Sequence, residues 1–336
     1  MPSVPNRALP SLQVLFAVVH FDLLTGSALY VYELSRNLVN RGHGVTVASP
    51  FIGGELTSRA RAAGVRVVDL DFESAPAPDV LHLNQPEPGL AALSRYPDSP
   101  AVATIHSPWS ADRPLVSDRI ARYLCVRPEL RRLVIRRDGL DASKVAVVGN
   151  GIDFRRFHRE LPPPELAAPS GGHRRPVVLF AGTVTDSREA AARALIRRSH
   201  EEDFDVLFVG VGPGGYLEDL PANVRWDRRQ VWNMEDVVRS CDEVAGVFVG
   251  RTILEGWACG KPGRVYFTSE AGEVLGSSRL EAPPPGVMAG YDIERVTTQM
   301  EAVYVDALAG CRPAVSATSR GAGCGQAGSG RAEVAP

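Results

Sequence analysis

The chain is short of everything that would mark a membrane protein, a disulfide scaffold or a metal cluster. No apolar run approaches the ~20 residues that cross a bilayer. The apolar stretch at 12–19 contains Gln13 and runs into His20 and Asp22, so it reads as a first strand and not a leader. Five cysteines, at 125, 241, 259, 311 and 324, include no C-x-x-C pair and no His/Cys cluster. That argues against a disulfide framework and a zinc site, and suits a reducing, cytoplasmic setting. Surplus charge is missing too: the net charge is −2, so no global field draws the chain to nucleic acid. There is no G-x-G-x-x-G fingerprint at the first turn, no Walker loop and no G-x-S-x-G elbow, and no Ser–His–Asp arrangement stands out. The "DLD" at 69–71 has only Glu73 as a further acidic neighbour, too few oxygen ligands for a divalent cation, and no metal site is expected.

What is present is an ordinary soluble composition, 44% hydrophobic and 23% charged, in a chain long enough for two domains of about 150 residues each. Short β-branched runs alternate with helical patterns, the mark of parallel α/β units. Strands are predicted at 12–21, 44–49, 65–71, 79–84, 101–106, 122–126 and 144–149, with helices at 28–41, 58–63, 90–95 and 129–136. From 155 to 176 the chain turns to Pro, Gly and charge, "RELPPPELAAPSGGHRRP", and reads as a linker. Alternation resumes with strands at 176–182, 204–210, 223–226, 244–249 and 263–268, helices at 188–198 and 234–240, and a last helix at 292–308. The expected architecture is an N-terminal domain over 1–154, a C-terminal domain over 177–310 and a disordered tail over 311–336, poor in large apolar residues. Two facing doubly wound domains place a ligand in the cleft at the carboxyl ends of their strands.

Several loops fall at those ends, each with a plain reading beside a functional one. "TGSA" at 25–28 opens the first helix, where Gly26 and Ser27 sit in either a tight turn or an anion site. His106 ends the fifth strand, as a satisfied structural histidine or a cleft residue. "VGNGIDFRRF" at 148–157 suffices as a turn, with Asp153 able to cap the residues after it. In "AGTVTDSREA", Arg188 stands where a cation reaches a diphosphate or merely faces water. "GVGPGG" at 210–215 precedes no clear amphipathic helix and lacks the context of a phosphate cradle. In "GRTILEGWACGKPG" at 250–263, Thr252 and Glu255 have the spacing of a capping box, Thr at N-cap and Glu at N3. A basic helix, "RPELRRLVIRRDG" at 127–139, presents either a solvated face or a surface for anionic lipid or an anionic acceptor.

Five of these segments, in order over residues 12–270, resemble the family 4 glycosyltransferases of the GT-B fold. "TGSALYVYELSRNLVNRGHGVTVAS", "AVATIHS", "KVAVVGNGIDFRRF", "VVLFAGTVTDSREA" and "GRTILEGWACGKPG" carry the likeness. The resemblance implies an α/β, GT-B architecture of two Rossmann-like domains with a cleft between them. It implies retaining, metal-independent transfer of a sugar from a nucleotide-sugar donor, UDP- or GDP-linked, to a sugar, lipid or small-molecule acceptor. It implies no further cofactor and no nucleic acid, and allows peripheral membrane contact. By resemblance His106 and Glu255 are the catalytic candidates. Gly26, Ser27, Gly182, Arg188, Arg251, Thr252, Ile253 and Glu255 surround the donor's diphosphate and ribose. Two positions depart from the family pattern: Val247 stands eight before Glu255, where a first glutamate is common, and Thr183 replaces an arginine. The alternative readings are a non-catalytic GT-B protein serving a nucleotide sugar or a partner enzyme, and a GT-B sugar-nucleotide epimerase.

Overall fold

The structure, a computed structural model, describes residues 10–109, 112–160, 175–268 and 273–311. The expected tail beyond 311 and the linker's centre at 161–174 lie outside the described residues.

The first half of the chain builds a seven-stranded, wholly parallel sheet. Its strands are β1 (Gln13–Ala17), β3 (Gly44–Ala48), β5 (Arg66–Val68), β6 (Val80–Leu83), β7 (Ala101–Ile105), β8 (Ile120–Cys125) and β9 (Val145–Val147), in the order β5-β3-β1-β6-β7-β8-β9. Helices cover both faces, so β1, β6 and β7 are buried on both sides and read as largely apolar runs, interrupted by Gln13 and by the paired His82 and Thr104. A short parallel pair, β2 (His20–Phe21) with β4 (Phe51–Ile52), stands apart from the sheet.

Helix α1 (Gly26–Asn40) begins two residues before the apolar pattern suggests, because Thr25 Oγ1 caps it by accepting from the Ala28 N–H at 3.2 Å. Helices α2 (Gly54–Ala62) and α3 (Pro86–Arg95) each begin four residues earlier than expected. In α3, Pro86 occupies the first turn, where a missing N–H costs nothing. Helix α4 (Pro128–Arg137) completes this half.

The second sheet has strands β10 (Val177–Ala181), β11 (Asp205–Val209), β12 (Val224–Asp227), β13 (Glu243–Gly246), β14 (Gly263–Thr268) and β15 (Val274–Leu280), in the order β12-β11-β10-β13-β14-β15. All pairs are parallel except β14 with β15. That last strand, "VLGSSRL", is not expected from sequence: it is an exposed edge and carries no core-facing alternation. Helices α5 (Asp186–Glu201), α6 (Met234–Ser240) and α7 (Arg251–Ala258) belong to this half.

After a short helix, α8 (Pro285–Met288), the chain returns in α9 (Ile293–Cys311). Sequence order assigns α9 to the second half, yet its buried side chains Ile293, Val296, Met300 and Tyr304 join the core of the first sheet. Polar contacts hold it there: Arg41 pairs with Glu294 and Glu301, and Tyr304 Oη meets His82 Nδ1 at 2.6 Å. The "NGID" segment is the anchor for this crossing. Ile152 bridges to residues 291–293, donating to Tyr291 O at 2.7 Å and accepting from Ile293 N at 3.0 Å. A Cβ on Gly151 would lie 2.4 Å from Ile293 Cδ1, so a larger residue there would have to push the end of that side chain aside.

In each sheet the strand order reverses once, beside β1 in the first and beside β10 in the second. Those switch points leave a crevice at the carboxyl ends of the strands, and both crevices open into one cavity.

Candidate active site

The cavity, of about 450 Å³, lies between the two sheets. Every residue expected at the site lines it: Gly26, Ser27 and His106 from the first half, Gly182, Arg188, Arg251, Thr252, Ile253 and Glu255 from the second. The topology explains this gathering, since each follows the carboxyl end of a strand. Gly26 and Ser27 follow β1 through β2, His106 directly follows β7, Gly182 follows β10, and α7 follows β13.

His106 is oriented from behind. Its Nε2 lies 2.9 Å from Asn84 Oδ1, while Asn84 Nδ2 points to the carbonyls of Ala17 and His82, 3.4 Å from each. With the amide nitrogen directed at carbonyls, Asn84 presents its oxygen, so His106 carries its proton on Nε2. Nδ1 is then the acceptor. Burial pushes the imidazole down to about 4, with Asp112 acting in the opposite direction, so the ring is neutral at pH 7. Asp112 accepts from Ser107 Oγ at 2.5 Å and from Gln85 Nε2 at 3.4 Å.

On the second domain the start of α7 corrects the capping-box reading. Gly250 is the N-cap, Thr252 lies inside the helix, and among the described residues no side chain caps the first turn. The amides of Arg251, Thr252 and Ile253 are therefore free of a side-chain cap, at the end where the helix dipole is positive. Glu255 does not turn back to the helix start. It accepts from Arg251 Nε at 2.7 Å, one turn away and fully buried. Arg251 also donates to Glu33 Oε1 of α1 at 2.7 Å and to Gly151 O at 3.3 Å, joining the two halves through buried charge. Burial and the nearby Glu33 carboxylate raise the Glu255 carboxyl above its ordinary range, while Arg251 opposes them.

Arg188, at the start of α5, has no carboxylate partner among the described residues. Its Nη1 donates to Ala181 O at 2.9 Å and its guanidinium lies 5.5 Å from the Phe180 ring centre. Burial lowers its proton affinity, with Tyr216 opposing. Gly182 admits this arrangement: a Cβ there would stand 2.4 Å from Arg188 Nη1.

Residues 72–156 match the sequence profile of Glycosyltransferase Family 4. Solved structures align over most of the chain. A glycosyltransferase from Rickettsia africae is 15% identical, with a TM-score of 0.59 over 89% of this chain and 95% of its own. HepE from Anabaena, solved with UDP-glucose, is 15% identical, with a TM-score of 0.62 over 89% and 98%. The chain has the GT-B fold, and its residues 72–156 are similar to glycosyltransferase family 4. A UDP-GlcNAc 2-epimerase from Neisseria meningitidis, solved with UDP-GlcNAc, shares that fold at 12% identity and a TM-score of 0.50, over 89% of this chain and 100% of its own. No curated protein sequence matches the chain.

Within this GT-B cleft stand four residues that the sequence does not mark as cleft residues: Asp112, Arg127, Arg156 and Trp232, all of which line the cavity. Arg127 has a legible signal, since it closes β8 at the sheet's carboxyl edge. Trp232 has none, because it sits in a loop. It packs edge-on against Tyr32 and lies between Arg59 and Arg156, with guanidinium distances of 4.2 and 5.3 Å to its ring centre. Among the described residues no group of three potential metal ligands occurs. Asp69 and Asp71 instead hold turn amides, those of Leu70 and Glu73.

Proposed function

We propose that this GT-B chain is a retaining, metal-independent glycosyltransferase that moves a sugar from a UDP-linked donor to an acceptor bound against the first domain. The observation that carries the proposal is the pairing, on one cavity wall, of an uncapped helix start at Gly250–Ile253 with Arg188, a half-buried cation lacking a carboxylate among the described residues. Free N–H groups and an unpaired guanidinium are the donors a diphosphate demands. Departure of a nucleoside diphosphate breaks the bond between the anomeric carbon and the β-phosphate oxygen and leaves negative charge on that oxygen. Fixed N–H groups and a cation stabilise it as it forms. The anomeric carbon becomes oxocarbenium-like, the acceptor oxygen bonds to it from the face that the diphosphate leaves, and the acceptor's proton passes to the departing β-phosphate oxygen.

The carboxylates lining the cavity, Asp112 and Glu255, are engaged by Ser107 with Gln85 and by Arg251, so neither stands as a free base for direct inversion. That favours retention. His106, neutral and with Nδ1 as acceptor, accepts a hydrogen bond from a hydroxyl of the transferring sugar. Glu255 supports the donor ribose by fixing the α7 start through Arg251 and by presenting its remaining oxygen. UDP is favoured over GDP because neighbours of this fold were solved with UDP-sugars.

A cytoplasmic location belongs to the same reading, and no helix among the described residues is long and apolar enough to cross a membrane. Peripheral contact would use Arg132 and Arg136 of α4, because Arg131 and Arg137 fold back onto the carbonyls of Val145 and Pro108.

The test is a panel of UDP-, GDP- and TDP-sugars, read by nucleotide release and by thermal shift. Release of UDP, with a product of unchanged anomeric configuration, is the expected result. If no donor is turned over and none raises Tm, the proposal is lost. Binding without turnover would select the non-catalytic alternative, which Val247 and Thr183 motivate. Conversion of the sugar while it stays on the nucleotide would select the epimerase.

A further inference from the structure

Five arginines line the cavity: Arg127, Arg156, Arg188, Arg229 and Arg251. Three are matched by carboxylates. Arg156 pairs with Glu235 at 2.8 Å, Arg229 with Asp227 at 2.7 Å and Arg251 with Glu33 and Glu255 at 2.7 Å each. Arg188 and Arg127 are not matched among the described residues. A diphosphate at the α7 start accounts for Arg188. It leaves Arg127 over.

Arg127 follows β8 and occupies the N-cap position of α4, with extended backbone that directs the residue to the sheet's carboxyl edge. It is only 9% exposed. Its Nε is buried and has no acceptor among the described residues, and its guanidinium lies 4.1 Å from the centre of the Phe248 ring. The nearest acidic residue in sequence, Glu129, is turned outward, where its partner is Arg132 at 3.5 Å. A cation placed this way costs stability unless something answers it. Elsewhere this chain answers such groups: Arg119, for instance, donates to the carbonyls of Leu93, Tyr96 and Ser99. Burial brings Arg127 down to about 10, which leaves it charged at neutral pH.

The Phe248 ring lies against both this cation and the α7 start. Its Cε2 lies 2.7 Å from where a Cβ on Gly250 would stand, so the ring covers the α7 start while its face carries Arg127. Ser107, Trp109 and Asp112 line the cavity from the same first-domain side, and Val247 brings no carboxylate to the opposite wall.

We propose that Arg127 is a specificity residue that reads a second anionic group, a carboxylate or phosphate, carried either by the transferred sugar or by the acceptor. This rests on the donor reading for the diphosphate but concerns a different part of the substrate. The aromatic face holds the guanidinium in place, and a bidentate anion satisfies the Nε and a terminal nitrogen together.

The experiment titrates UDP, UDP-glucose and UDP-glucuronate into the wild type, Arg127→Met and Arg127→Lys. A second arm titrates inorganic phosphate into UDP-saturated protein. Methionine keeps the packing on Phe248 and removes the charge, while lysine restores charge without the fork. All three proteins are first compared in melting temperature. If the anion belongs to the donor sugar, the wild type prefers UDP-glucuronate to UDP-glucose by about tenfold or more, the scale of one charge-assisted hydrogen bond. If it belongs to the acceptor, phosphate binds the UDP-saturated wild type. In either case Arg127→Met abolishes the effect, Arg127→Lys recovers part of it, and UDP affinity is unchanged. The proposal is overturned if the wild type shows neither effect, or if Arg127→Met loses UDP itself, which would make Arg127 a diphosphate ligand. Failure of UDP to bind sinks the donor reading instead. The phosphate arm without nucleotide then decides Arg127 alone, by whether the wild type binds phosphate more tightly than Arg127→Met.

Discussion

Two helix starts of the second domain, those of α7 and α5, each carry an arginine at the edge of the same cavity, and the two are treated oppositely. Arg251 is clasped by Glu33 and Glu255 and by a backbone carbonyl. Among the described residues Arg188 has one carbonyl and an aromatic ring. The residue type is the same, and so is the sheet edge. What differs is compensation, and with it the role: a guanidinium saturated by its own protein builds structure, and one left unsaturated beside free amides is available to a ligand. Family resemblance implies that both arginines lie near the donor; on the proposed reading only Arg188 offers it a side chain. At Arg251 the backbone N–H is what remains free.

The comparison breaks most visibly in Arg251→Met. That change takes the cation from buried Glu255 and leaves buried Glu33 with only Arg156, at 3.6 Å, and we expect a loss of about 3–5 kcal/mol, or roughly 10 °C or more in Tm. Equilibrium unfolding in urea measures it, and a loss under ~1 kcal/mol would show that the clasp contributes little. Arg188→Met should do the reverse. Stability holds or rises, because a half-buried cation without an acid is removed, while UDP affinity falls about ten- to a hundredfold, a charged hydrogen bond being worth ~1.5–3 kcal/mol. Calorimetric titration decides this, and unchanged affinity would reassign Arg188 to a structural place beside Gly182.

The first-domain wall supplies a pH test. His106 is held down to about 4 from 6.5, so the folded ring stays neutral where the unfolded chain takes up a proton. Stability tied to it is therefore complete above pH ~6.5 and is lost as pH falls from there towards 4. His106→Gln should flatten that part of the stability curve without levelling it, since His82, pushed down to about 3 by burial, slopes the same way. An unchanged curve would mean that the ring is solvated in the fold. The smallest effect belongs to Thr252→Ala. With Gly250 as N-cap, we expect under ~0.5 kcal/mol, whereas loss of a true threonine cap costs about 0.5–2 kcal/mol. A thermal melt separates the two.

Much of this molecule is legible in one dimension. Buried parallel strands are largely apolar on both faces, and β1, β6, β7 and β10 announce themselves as such runs. Because ligands gather where parallel strands end, the loops after them point to Gly26, His106, Gly182, Arg188 and the α7 start from the linear order of residues. The misses have local causes. Strand β15 is an exposed edge without alternation. The Thr252–Glu255 spacing imitates a capping box although the helix starts two residues earlier than that spacing implies, at Arg251.

What the sequence determined by itself is therefore the set of elements, their alternation and the residues delivered to the strand ends, all of which come from short-range periodicity and turn chemistry. The tertiary structure alone decided which of those residues are free. Arg251 meets Glu33 across 218 positions of chain, and Tyr304 returns across 222 to meet His82. Arg127 is left facing Phe248, an aromatic ring of the other domain, with no acid among the described residues. Compensation of buried charge depends on neighbours distant in sequence, and no local pattern records them.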